Sequence, residues 1–111
     1  MWAFLMGLKT VDPVELRSRI DTADVVVFDV NSRESWSTGH VPGARNLDPE
    51  NYSAVDLPED KDATVVFYCS NAMCRKAPNA AKRAKDMGYT NVKVMSAGIQ
   101  GWRSKGLPTV T

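Results

Sequence analysis

The sequence predicts a single α/β domain built on a mostly parallel sheet with helices on both faces. Three observations lead there. Val25-Val26-Val27-Phe28-Asp29-Val30 and Val65-Val66-Phe67-Tyr68 are continuous apolar runs rather than alternating ones, so both faces of these strands are buried. Helical patterns separate the strands along the chain, as parallel pairing with crossover connections requires. Finally, 111 residues with 43% hydrophobic and 24% charged content suffice for one core without disulfides or metal.

Taken in order, Met1-Trp2-Ala3-Phe4-Leu5-Met6-Gly7-Leu8 is apolar but too short to span a bilayer, and it lacks the basic start and cleavage site of a signal peptide. It reads as a terminal segment covering part of the core, or as the remnant of a membrane or partner segment. Asp12 caps the next helix, Pro13 suits its first position, and Glu15 completes a capping box, with Val11 and Leu16 as the hydrophobic staple. After the Val25–Val30 strand, Asn31 and Glu34 are placed to cap a short helix carrying Trp36. Gly39-His40-Val41-Pro42-Gly43-Ala44 then turns into a short strand at Arg45-Asn46-Leu47. The acidic, proline-punctuated stretch from Asp48 to Asp62 is a surface segment anchored by Tyr52, Val55 and Leu57.

The strand ending at Tyr68 delivers Cys69 to its carboxyl end, where sites of such sheets lie. Ala77, Ala80, Ala81, Ala84 and Met87 recur at helical spacing, and Pro78 confines the helix start to about Ala77. Gly88 is its C′ glycine. Val92-Lys93-Val94-Met95 is the last strand, and Ile99 and Trp102 anchor a closing helix that ends near Gly106-Leu107-Pro108.

Chemistry concentrates in the loop Cys69-Ser70-Asn71-Ala72-Met73-Cys74-Arg75-Lys76. A cysteine above a helix amino end meets free N–H groups and the helix dipole, which favour the thiolate. The same N–H groups cradle a small anion. Cys69 is therefore the candidate nucleophile and Ser70 to Lys76 the candidate binding loop. Arg75 and Lys76, cations set against the dipole, suit an oxyanion ligand; otherwise they are solvated charges. Cys74 is either a resolving thiol for Cys69 or a bystander. A bridge between two cysteines of one short loop closes little chain, so reactivity and a reducing, cytoplasmic setting fit better than stapling. Asp29, at the end of its strand, either supports the loop through Arg75 or the loop N–H groups, or caps a turn. His40 is the only histidine and belongs to a turn. No metal-ligand spacing and no glycine-rich nucleotide loop occurs, and a formal charge of +1 gives no footprint for nucleic acid.

In Phe28-Asp29-Val30, Gly39 to Ala44, Val65 to Cys69, Met87-Gly88-Tyr89-Thr90-Asn91-Val92 and Gly98-Ile99-Gln100-Gly101-Trp102, the chain resembles a rhodanese-homology domain over nearly its whole length. The resemblance implies a five-stranded, mostly parallel sheet and a sulfurtransferase without cofactor. It also implies that Cys69 carries the sulfur as a persulfide, taken from thiosulfate or a persulfide donor and passed to cyanide or a thiol, including a protein thiol. Sulfurtransferase members usually place one residue fewer between the cysteine and a basic residue than the five between Cys69 and Arg75. That longer loop is similar to the loop of phosphatases and arsenate reductases on this fold, which makes a Cys-x5-Arg enzyme the rival reading. A redox-sensing module that cycles Cys69 and Cys74 is the third. Where the family often has Arg after Asp-Val, this chain has Asn31.

Overall fold

The computed structural model describes residues 2–22 and 24–111, so Met1 of the apolar opening lies outside the described residues. Among the described residues, five helices and five strands follow in the order α1 (Trp2–Leu5), β1 (Lys9–Thr10), α2 (Pro13–Asp21), β2 (Val26–Asp29), α3 (Arg33–Thr38), β3 (Arg45–Asn46), β4 (Thr64–Tyr68), α4 (Lys76–Asp86), β5 (Asn91–Val94) and α5 (Gly98–Ser104), with a 3₁₀ turn at Ala54–Asp56. The sheet order is β1-β5-β4-β2-β3 and every pairing is parallel. The two long apolar strands stand side by side at the centre, with Phe28 opposite Phe67 and Asp29 opposite Tyr68. The two-residue strands β1 and β3 form the edges, which leaves little unpaired backbone for another chain to pair with.

Alternation along β2 and β4 divides the core into two layers. Phe28, Val30, Val65, Phe67 and Cys69 join one layer with Ala3, Tyr52, Leu57 and the alanines of α4. Val27, Val66 and Tyr68 join the other, with Leu16 of α2, Val41, and Ile99 and Trp102 of α5. Ala77, Ala80, Ala81 and Ala84 are all essentially buried. Their small side chains let α4 lie close on the sheet.

Local signals act largely where expected. Asp12 Oδ1 accepts from the Glu15 N–H at 2.9 Å, half of the expected capping box. Val11 and Leu16 pack in the same layer. Beyond α4, Gly88 at φ +100° donates to the Lys85 carbonyl at 2.9 Å, while Tyr89 N–H reaches Ala84 O at 3.2 Å. This is a complete Schellman closure. Two expectations are corrected. Ser32, not Asn31, caps α3, its hydroxyl accepting from Ser35 N–H at 3.1 Å, because Asn31 N–H is already drawn to Asp29 Oδ1 at 2.8 Å. Val55 is 90% exposed, since the 3₁₀ turn directs only the flanking Tyr52 and Leu57 into the core.

Asp29 is buried, and its carboxylate accepts from the Tyr68 hydroxyl at 2.7 Å. That hydroxyl accepts in turn from Val41 N–H at 3.1 Å. This chain of bonds ties the ends of β2 and β4 to the Gly39–Ala44 turn. Burial raises the Asp29 carboxyl above its ordinary 3.8, opposed by the hydrogen bonds from Tyr68 and Asn31. Burial and the Asp29 charge push the Tyr68 phenol up as well. The folded chain thus holds the Asp29 proton more tightly than the unfolded chain. Its contribution to stability is greatest below pH 3.8 and declines as pH rises through the folded value. Urea midpoints measured across that range will fall with pH more steeply in the wild type than in Asp29→Asn; equal slopes would refute the assignment.

Candidate active site

Cys69 follows β4 and continues its alternation, so its side chain enters the layer shared with α4 and is only 2% exposed. The loop after it turns back sharply. Asn71 organises that turn: its Oδ1 accepts from Met73 N–H at 2.9 Å, and its carbonyl accepts from Cys74 N–H at 3.2 Å. Cys74 is thereby returned over Cys69. Their Cα atoms are 6.4 Å apart, within disulfide range, and the two sulfurs are paired.

The loop is held from both ends of the sequence. On one side, the Cys69 and Ser70 carbonyls accept from Ile99 N–H at 2.9 Å and Gln100 N–H at 3.0 Å, the first-turn donors of α5. This approach requires Gly98, whose φ is +67°. A Cβ there would lie 2.5 Å from the Ser70 carbonyl carbon and 2.6 Å from Asn71 N. On the other side, Trp2 of α1 donates its Nε1–H to the Met73 carbonyl at 2.9 Å. The Arg75 guanidinium lies 3.7 Å from the centre of the Trp2 ring, a cation–π contact. The space enclosed by Trp2, Ala3, Cys69, Asn71, Cys74 and Pro78 is about 10 Å³, which is about one water at most. With its sulfurs paired, the loop is closed.

The candidate loop residues therefore separate. Cys69, Asn71, Ala72 and Cys74 surround the enclosed space. Ser70 serves α5 through its carbonyl, and the Met73 side chain is exposed. Arg75 is occupied by Trp2 and forms no bridge to Asp29. Asp29 instead takes the other role open to it, as a turn acceptor for Asn31 N–H, and its strand position puts it on the Tyr68 side of the sheet, away from Cys69. Lys76 points to a different cleft of about 440 Å³, lined among others by Asn31, Arg33, Asp48 and Glu50. His40 lies in the Gly39–Ala44 turn, stacked on Trp36 at 4.2 Å, with Nδ1–H donating to Trp36 O at 2.8 Å. Helix α4 begins without a side-chain cap, so the Lys76 and Ala77 amides of its first turn have no capping side chain as partner.

Trp2 and Gly98 are site residues that local patterns do not reveal. A glycine at the first position of the closing helix, where side chains are ordinarily tolerated, was the available signal for Gly98. For Trp2 it was an amphipathic ring in an otherwise apolar stretch.

Comparison with known proteins agrees with this architecture. Residues 12–105 match the family described as Rhodanese-like domain. The chain belongs to that family. It is 36% identical over 96 residues to the HTH-type transcriptional regulator Rv0324 of Mycobacterium tuberculosis, covering 85% of this chain but only 41% of that protein. It is 29% identical over 115 residues to the human thiosulfate:glutathione sulfurtransferase, covering 91% of this chain and 98% of that one. Among solved structures, the BH2092 protein of Bacillus halodurans superposes with a TM-score of 0.84 at 22% identity, over 96% of this chain and 80% of the other, a likeness of fold. Among the described residues no helix is long and apolar enough to cross a membrane.

Gly98→Ala combines a left-handed backbone with a backbone collision, and is expected to cost about 2–4 kcal/mol. A lowered urea midpoint, with faster alkylation of Cys69 in the reduced protein, will show the loop released from α5. An unchanged midpoint would mean that the loop does not depend on this approach.

Proposed function

We propose that this rhodanese-like domain is a sulfurtransferase in which Cys69 carries the transferred sulfur. The observation that carries this reading is the place of Cys69, at the end of the central strand and before the uncapped start of α4. A relative named thiosulfate:glutathione sulfurtransferase, aligned over almost its whole length, supports it. In the reduced loop the Cys69 thiolate attacks the outer sulfur of thiosulfate. The sulfur–sulfur bond breaks, sulfite leaves with the electron pair, and Cys69 holds a persulfide. An acceptor thiol or cyanide then takes the outer sulfur and restores the thiolate, a two-step covalent cycle. First-turn amides of α4 stabilise the anions at each step. Because the nucleophile must be a thiolate, a reducing compartment such as the cytoplasm suits the activity.

The Cys-x5-Arg reading is weaker on the same geometry. Its arginine, Arg75, is stacked on Trp2. The strand-end carboxylate, Asp29, is bonded to Tyr68 in the opposite layer. A phosphatase needs an acid for its leaving group, and that carboxylate is on the wrong side of the sheet.

Reduced wild-type protein incubated with thiosulfate is expected to release sulfite in a rapid burst, and Cys69→Ser to release none. A Cys69→Ser protein that still liberates sulfite would remove Cys69 from the reaction.

A further inference from the structure

We propose that Cys74 resolves the Cys69 persulfide within the loop, so that the domain releases its sulfur as hydrosulfide. The proposal rests on the sulfurtransferase reading above and specifies the fate of its intermediate. Three features support it. The loop folds Cys74 back over Cys69 through two hydrogen bonds accepted by Asn71, and the sulfurs are paired with Cα atoms 6.4 Å apart. Both cysteines lie in or against the α4 layer of the core, with Cys69 buried. The space left beside the paired sulfurs, about 10 Å³ under Trp2, has no room for another group between them. An acceptor supplied by the loop is already at Cys69, and its proximity replaces a bimolecular encounter.

The step balances as a thiol–disulfide exchange. The Cys74 thiolate attacks the inner, Cys69 sulfur of Cys69–S–SH. The bond to the outer sulfur breaks, and that sulfur departs with the electron pair as HS⁻. The sulfane sulfur is thereby reduced by two electrons, and the cysteine pair is oxidised to the Cys69–Cys74 disulfide. An external dithiol then reduces the disulfide by exchange, becoming a cyclic disulfide itself. The sum is thiosulfate plus dithiol giving sulfite, hydrogen sulfide and the oxidised dithiol. The paired, closed loop is the product state of this sequence. The contact between Trp2 and the Met73–Arg75 segment holds it until the dithiol arrives.

The test uses the full chain, reduced and freed of reductant, then mixed with thiosulfate and no other thiol. Sulfite, sulfide and the intact protein mass are followed together. Wild type is expected to release about one sulfide per chain and to end two hydrogens lighter, with Cys69 linked to Cys74 in non-reducing peptide maps. Cys74→Ser is expected to gain the mass of one sulfur atom and keep it, with sulfide release about tenfold or more below wild type. Sulfide release equal in the two proteins, or a persulfide equally long-lived in both, would overturn the resolving role while leaving the persulfide intact. No sulfite and no added sulfur in either protein would overturn both readings together.

Discussion

The Cys69–Lys76 loop is positioned by two carbonyl groups. Cys69 and Ser70 present their carbonyl oxygens to the Ile99 and Gln100 amides at the start of α5, satisfying donors that a helix beginning with Gly98 cannot satisfy itself. The approach is so close that only a glycine in a left-handed conformation leaves room for it. Because this anchor uses the backbone, it leaves the loop's side chains free for chemistry. It also commits the loop to leave the sheet over α5 before it returns to α4. The return brings Cys74 to Cys69.

The pleat of the central strands settles which groups can cooperate. Cys69 and Asp29 both lie at carboxyl ends of neighbouring strands, and a view of strand ends alone would make them partners. Alternation sends Cys69 to the α4 layer and Asp29 to the layer of Tyr68 and Trp102. Cys69, the candidate nucleophile, is thus separated from the buried Asp29 carboxylate by the thickness of the sheet. Asp29 becomes a fixed acceptor holding two strand ends and a turn together. What remains at this end of the sheet is the Cys69–Cys74 pair and helix-terminal amides, a set suited to the sulfur exchange proposed above.

Much of this was legible in the chain itself. The continuous runs at Val25–Val30 and Val65–Tyr68 marked central parallel strands, and their pairing is what the structure shows. Asp12, Pro78 and Gly88 marked helix ends through local backbone chemistry. Misreadings arose where two nearby groups compete for one donor or one surface. Asn31 was a plausible cap until Asp29 took its amide, and Val55 a plausible anchor until the 3₁₀ turn faced it outward.

By itself the sequence determined the order of elements, the strand that carries Cys69 and the helix that follows, because periodicity and capping act over a few residues. The enclosure of Cys69 was decided only by the tertiary structure. Trp2 lies on Arg75 from the far end of the chain, Gly98 fits beneath Ser70, and Arg75 is held away from Asp29. Each of these contacts joins residues distant in sequence, and none follows from the spacing of residues along the chain. Which neighbour claims a side chain depends on where the sheet brings the segments together.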